Sequence, residues 1–259
     1  HDTCRRQRQM CIRDSPSKVG LCEERLERVT DWLDQQIESQ RLAGASVLVA
    51  RHGSIGYSHA AGLADVEQAK PFTEDTLVRI FSMTKPITSV AAMMLYEQGC
   101  FQLDDPVAKY LPEFAQTPVW KGGAHALNEV EAQASPMLVK HLFTHTSGLT
   151  YGFMNTNVVD AQYREQGLEF PGKPDNLAHW VEQLASVPLI CQPGSQWNYS
   201  VATDVLGRLV EVWSGQELAV FFRERIFGPL GMTDTAFAVA PEQQQRFAAL
   251  YLSLIHISE

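Results

Sequence analysis

The sequence lacks a long apolar run and an excess of basic residues. Its longest apolar stretch, Ser89–Leu95, is far shorter than the about 20 residues that a membrane-spanning helix requires. The formal net charge is −9, and the one basic run, Arg5–Arg8, is brief and terminal. Nucleic-acid binding depends on clustered Lys and Arg that neutralise phosphates. We therefore expect neither a membrane span nor a nucleic-acid partner.

The chain also lacks a cysteine pattern. Its 5 cysteines are an odd number and contain no C-x-x-C pair, so the sequence predicts neither a zinc site nor a disulfide framework. This favours a reducing compartment such as the cytoplasm. The cysteines are Cys4, Cys11, Cys22, Cys100 and Cys191.

Two further catalytic patterns are missing. No G-x-S-x-G elbow occurs, which disfavours an α/β-hydrolase. His141 and His145 have the spacing of zinc ligands on a helix, but Leu142 stands where H-E-x-x-H needs its glutamate. We therefore expect no metal and no cofactor, and we interpret both histidines as structural. Ser147, which precedes Gly148, fits ordinary turn chemistry better than nucleophilic chemistry.

The two ends of the chain differ from the residues between them. Residues 1–14 show no period of helix or strand, and both this segment and residues 252–259 resemble translated sequencing-adapter read-through. We expect both to be non-native, and hence the natural N-terminus to be missing.

Between these ends, the pattern predicts strands first and helices afterwards. Leu26, Val29, Leu33 and Ile37 recur at helical spacing, and two β-rich segments, 44–50 and 55–61, flank a turn. A helix from Pro86 to Gly99 looks buried almost all round. We expect an N-terminal part of an α/β subdomain over 15–80, a mostly helical subdomain over 81–200, and a return to the α/β subdomain over 201–251. Further helices are predicted at 136–143, 176–184, 199–215 and 217–226.

Ser82-Met83-Thr84-Lys85 is an S-x-x-K tetrapeptide in front of the apolar helix. If Ser82 opens that helix, the i, i+3 spacing places its hydroxyl and the Lys85 amine on one face. A lysine can take the proton of a serine when burial or nearby cations lower its pKa. The helix N-terminus also makes the Ser82 N–H a natural half of an oxyanion hole.

The spacing alone is weak support, since this pattern is expected about once by chance in a chain of such length. Ser15-Pro16-Ser17-Lys18 shows this, because it has the same spacing without an apolar helix behind it. We therefore expect Ser82, and not Ser15, to be the nucleophile.

The neighbourhood of Ser82 resembles the β-lactamase-related serine hydrolases, in the branch of class C β-lactamases, D-alanyl-D-alanine carboxypeptidases and family VIII carboxylesterases. The resemblance covers roughly residues 23–251. Five stretches carry it in order: Phe72–Pro86, Gln102–Pro112, His141–Leu149, Pro193–Gly207 and Pro229–Thr235.

This resemblance implies a β-lactamase/transpeptidase-like fold, an antiparallel sheet flanked by helices with a mostly helical subdomain. It also implies that Tyr199 is the tyrosine that exchanges protons with the nucleophile and the leaving group. A phenol near cations can act as general base and then as general acid. Trp197, beside Tyr199, is a candidate wall of the substrate pocket, and a small-molecule ester is the expected substrate.

Two departures from the family pattern matter. Tyr199-Ser200-Val201 has valine where the lactamase form Tyr-x-Asn has the amide that helps hold a β-lactam, and Tyr-Ser is typical of the esterase branch. The third motif, Lys-Thr-Gly or its Trp/His-containing equivalent, is expected more than a hundred residues after Tyr199 and is not present. We therefore expect the chain to be incomplete at its C-terminal side.

Three hypotheses follow. The first is a carboxylic ester hydrolase that forms an acyl-enzyme on Ser82. The second is a β-lactamase or D,D-peptidase that uses the same residues on an amide. The third is a ligand-binding protein of the same fold in which Ser82 is idle.

Overall fold

The structure is a computed structural model that describes residues 15–168, 176–253 and 256–257. The chain divides into two compact units, one formed by residues 1–80 and 227–259 and the other by residues 81–226. Each unit has its own secondary structure. Within the described residues, no helix is long and apolar enough to cross a membrane.

The first unit contains the predicted amphipathic helix and the predicted hairpin. Helix α1 (Glu23–Glu38) is followed by strands β1 (Gly44–Arg51), β2 (Ser54–Asp65) and β3 (Lys70–Pro71), which form an antiparallel sheet in that order. The two turn residues, His52 and Gly53, both have positive φ, 54° and 78°. This is the conformation of a two-residue turn whose twist matches the flanking strands.

Helix α1 buries the predicted face against the hairpin. Leu33, at the centre of that face, is 1% exposed. Two polar contacts join the helix to β2: the Thr30 Oγ1 lies 2.7 Å from the Tyr57 hydroxyl, and the Asp34 Oδ1 lies 3.1 Å from the His59 Nε2. The spacing of apolar residues therefore predicted this packing correctly.

The remainder of the first unit follows residue 226. It includes the short helix α8 (Gly228–Leu230) and a pairing of β6 (Tyr251–Ser253) with β7 (His256–Ile257). Residues 1–14 and most of 252–259, the segments expected to be non-native, lie outside the described residues, apart from the backbone of 252–253 and 256–257.

The second unit is mostly helical, as predicted. Its described elements are α2 (Thr84–Glu97), β4 (Val119–Trp120), β5 (Val130–Glu131), α3 (Val139–Phe143), α4 (Val158–Glu165), α5 (Leu177–Ala185), α6 (Ala202–Ser214) and α7 (Leu218–Phe222). A π-helical turn, Arg223–Phe227, follows α7 and ends the unit.

Helices α2 and α6 pack on each other in the core of this unit. Helix α2 contributes Ala91 and Ala92, both 0% exposed, and α6 contributes Val205 and Leu209. Alanine side chains allow two helices to approach closely. Helix α6 lies in the second unit, which runs to residue 226.

The prediction that α2 is buried almost all round is wrong. Its opposite face carries Val90 and Met93, which are 52% and 37% exposed. Apolar residues on every face suggested burial, but only one side of the helix contacts the rest of this unit.

Candidate active site

Ser82 lies in a single 3₁₀ turn, Phe81–Met83, that leads directly into α2. It therefore lies two positions before the first residue of the α-helix, Thr84, and does not belong to its first turn. The residue before it, Phe81, has a φ of 41°, in the left-handed region that side chains other than glycine rarely adopt. Such strain persists where surrounding contacts fix the backbone, and it often marks a functional site.

The structure brings Ser82, Lys85 and Tyr199 into contact. The Lys85 Nζ donates a hydrogen bond of 3.2 Å to the Ser82 Oγ. The Ser82 Oγ also lies 2.9 Å from the Tyr199 hydroxyl, across 117 residues of sequence. The Lys85 Nζ stands 4.8 Å from the centroid of the Tyr199 ring. The Ser82 hydroxyl therefore contacts both the Lys85 ammonium and the Tyr199 phenol.

The pKa values of Lys85 and Tyr199 are shifted in opposite directions. Hydrogen bonds from Lys85 and then from Ser82 lower the pKa of the Tyr199 phenol. Partial burial works to lower the pKa of Lys85, but hydrogen bonds and charge interactions with Tyr199 and Tyr151 outweigh it, so this pKa lies above the ordinary lysine value. The sequence argument needed a lowered pKa for Lys85 to act as a base. For Lys85 the direction is the reverse, whereas the pKa of Tyr199 lies below its ordinary value.

Aromatic rings surround this cluster. Tyr151, which the sequence did not single out, is buried and lies 5.3 Å from the Tyr199 ring and 5.7 Å from the Lys85 Nζ. Phe153 stacks on Tyr151 with centroids 4.7 Å apart. Trp197, the predicted pocket residue, stacks on Tyr199 at 6.4 Å and is 65% exposed. These rings place apolar surfaces beside the cluster.

Asp204 is a second residue that sequence reasoning missed. It lies in the first turn of α6 and is exposed, and desolvation by the protein atoms around it raises the pKa of its carboxyl to about 6. The charge of Lys85 opposes this rise. The carboxylate in turn raises the pKa of Tyr199 and of Tyr151. No motif spacing from Ser82 indicates a role for Asp204.

The loop that precedes Tyr151 depends on glycine. Gly148 has a φ of 87°, and a Cβ there would lie 2.4 Å from the carbonyl oxygen of Cys191. Its neighbour Ser147 is fully buried, and its Oγ accepts a hydrogen bond from the Leu149 N–H. Ser147 therefore serves the turn, as the sequence predicted.

The two histidines of the signature loop have separate partners. The His141 Nδ1 accepts from the Leu138 N–H at the start of α3, and the His145 Nδ1 lies 3.2 Å from the Ser200 Oγ. Within residues 15–168, 176–253 and 256–257, no three His, Cys, Asp or Glu side chains form a cluster suited to a metal ion.

Comparison with known proteins agrees with this geometry. The sequence profile of the beta-lactamase family matches residues 29–254. Esterase EstB of Burkholderia gladioli is 41% identical over 226 residues, which cover 86% of this chain and 54% of the esterase. Lovastatin esterase of Penicillium rubens is 32% identical over 205 residues, which cover 78% of this chain and 50% of the relative.

Among solved structures, EstCE1, a hydrolase with promiscuous acyltransferase activity, has a TM-score of 0.74 and 33% identity, covering 87% of this chain and 56% of that one. The chain thus spans about half the length of the curated relatives it matches. These matches confirm the predicted β-lactamase/transpeptidase-like fold. The chain belongs to the beta-lactamase family.

Proposed function

We propose that this chain carries the nucleophile and the proton-transfer groups of a carboxylic ester hydrolase that works through an acyl-enzyme on Ser82. The observation that carries the proposal is the position of the Ser82 Oγ, 2.9 Å from the Tyr199 hydroxyl and 3.2 Å from the Lys85 Nζ. A serine hydroxyl becomes a useful nucleophile when an adjacent base removes its proton.

The reaction has two halves. The Tyr199 phenolate takes the Ser82 proton while the Oγ attacks the ester carbonyl carbon, and Lys85 keeps its charge beside both oxygens. Tyr199 then returns the proton to the departing alcohol, which leaves an acyl group on Ser82. In the second half, Tyr199 takes a proton from water as the water oxygen attacks the acyl carbonyl. Tyr199 then returns this proton to the departing Ser82 Oγ, which releases the carboxylic acid and restores the phenolate. The Ser82 N–H is the proposed donor to the oxyanion.

The sequence around Tyr199 supports an ester in preference to a β-lactam. Val201 occupies the position of the lactamase asparagine and is 1% exposed, so its apolar side chain belongs to the core of the unit. Two relatives are named esterases. A β-lactamase or D,D-peptidase is the competing enzyme, and the rates on an aryl ester and on a cephalosporin separate the two.

Small-molecule substrates fit the names of these relatives, and we propose an ester with an apolar acyl or alcohol group. Trp197 is the proposed wall of its pocket, because it is exposed and parallel to the Tyr199 ring within 21°. Replacing the indole with alanine removes an apolar surface from the entrance. We expect Trp197→Ala to slow labelling by an aryl phosphonate by several-fold, about 1 kcal/mol, and labelling by a methyl phosphonate by less.

The test is intact mass after exposure of the 259-residue chain to a fluorophosphonate. The Ser82 Oγ attacks phosphorus, fluoride leaves, and one phosphonyl group stays on the protein. We expect one adduct, its absence in Ser82→Ala, and an unchanged adduct in Ser15→Ala, the matched control from the other S-x-x-K. No adduct on either the wild-type chain or a version extended to the length of its relatives would contradict the proposal and favour a ligand-binding protein with an idle Ser82.

A further inference from the structure

His145 contacts the residues on both sides of Tyr199. Its carbonyl oxygen accepts a hydrogen bond of 2.8 Å from the Asn198 N–H. Its Nδ1 lies 3.2 Å from the Oγ of Ser200, a residue that is 0% exposed. Its ring centroid is 5.1 Å from that of Tyr199. One residue therefore holds the chain immediately before and immediately after the phenol.

Tyr199 needs such a hold because it lies in the irregular segment between α5 and α6. Loop residues are more mobile than residues in helices and strands, whereas a reacting group must stay within about 0.5 Å of its working position. Asn198 gives further support through its side chain, which donates to the Leu149 carbonyl at 2.9 Å. Segments 145–150 and 198–201 thus run together, and His145 is the point where a side chain joins them.

The backbone of His145 indicates that its position is fixed by these contacts. Its φ is 54°, in the left-handed region that is uncommon for residues other than glycine and asparagine. A histidine there persists when its surroundings hold it in place. It contacts Asn198 and Ser200 through polar atoms, and its ring also adjoins those of Tyr199 and Trp197.

The charge state of His145 suits this role. Burial and then the positive charge of Lys85 lower the pKa of the imidazole, so His145 is neutral at neutral pH. A neutral ring can pair with the Ser200 hydroxyl without adding a second cation beside Lys85. The other titratable groups that act on Tyr199 are Lys85 from α2 and Asp204 from α6, and Tyr151 adjoins its ring.

We propose that His145 is a positioning residue that keeps the Tyr199 hydroxyl within reach of Ser82 and Lys85. The proposal rests on the proposed function for its catalytic meaning, but the placement of Tyr199 is measurable without catalysis. If His145 no longer holds the segment, Tyr199 moves away from the Lys85 ammonium that keeps its pKa low.

The experiment is a pH titration by NMR of the chain labelled with ¹³Cζ-tyrosine, in which the Tyr199 signal is identified by its loss in Tyr199→Phe. We expect His145→Ala to raise the pKa of Tyr199 by about half a pH unit or more. His145→Asn should restore it, because asparagine tolerates a left-handed φ and places an amide where Nδ1 stands. Ser200→Ala removes only the hydroxyl that pairs with the His145 Nδ1 and keeps the imidazole, so it should give a smaller rise in the Tyr199 pKa.

The matched control is His179→Ala, which removes an exposed imidazole from α5 and should leave the pKa of Tyr199 unchanged. Near-UV circular dichroism checks that each variant is folded. An unchanged Tyr199 pKa in folded His145→Ala would overturn the proposal. So would a rise in His145→Asn as large as that in His145→Ala.

Fluorophosphonate labelling separates this result from the proposed function. If neither the wild-type chain nor the extended version is labelled but His145→Ala still raises the Tyr199 pKa, the esterase proposal fails and the positioning role stands. If the chain is labelled and the Tyr199 pKa does not change in His145→Ala, the positioning role fails and the esterase proposal stands. Where both proposals hold, His145→Ala is labelled about tenfold more slowly and His145→Asn at nearly the wild-type rate.

Discussion

The chain contains two S-x-x-K tetrapeptides, and their surroundings differ completely. Pro16–Val19 is a lone 3₁₀ turn that ends at Gly20, and the Ser15 Oγ lies 3.3 Å from that of Ser17. Ser82 leads into a helix of 14 residues and meets both Lys85 and Tyr199. The same spacing therefore gives a local turn in one place and a cluster of three polar side chains in the other. A following helix and a third group from a distant segment make the difference.

The largest expected effect comes from the two lysines. Lys85→Ala removes the cation that lowers the pKa of Tyr199 and that donates to Ser82, so we expect fluorophosphonate labelling to slow by about 10³-fold. Lys18→Ala should leave the rate within about twofold, since surface substitutions away from a site cost little. Equal losses of labelling rate in Lys85→Ala and Lys18→Ala would show that the two tetrapeptides do not differ in their effect on labelling.

Tyr199→Phe tests the distant group that the first tetrapeptide lacks. It keeps the ring but removes the hydroxyl that is the proposed proton acceptor, and we expect labelling to slow by about 10²-fold or more. The rate constant, measured against pH, identifies the base. A wild-type rate in Tyr199→Phe would show that another group takes the Ser82 proton.

The pH dependence of labelling tests the same assignment of Tyr199 as the base. Tyr199 is the base only when deprotonated, so labelling should rise with pH until it passes the lowered pKa of this phenol. Asp204→Asn removes a negative charge that raises the pKa of Tyr199. The midpoint of the rise should therefore move to lower pH in this variant, by a fraction of a pH unit. A move to higher pH would contradict the assignment of the base.

Elements held together by local contacts were predictable from the sequence. Helix α1 and the hairpin of β1 and β2 follow from apolar spacing and from a turn sequence that accepts positive φ. The contact between Ser82 and Lys85 follows in the same way, because residues three apart meet on one face of a helical turn.

Contacts between distant segments were not predictable. His145 and Ser200 are 55 residues apart, and Tyr151 has no spacing relation to Ser82, so only the folded chain shows them together. Tyr199 was found through a family resemblance. The exposed side of α2 was not predicted either, because the residue composition of a helix does not show which of its faces packs against another element.

Phe81 has a consequence for engineering. A glycine would adopt its φ of 41° freely, whereas phenylalanine adopts it only at a cost in stability. Selection for thermal resistance and selection for turnover should therefore favour different residues at this position. Position 81 is accordingly a good site for randomisation when a robust biocatalyst is sought from this scaffold.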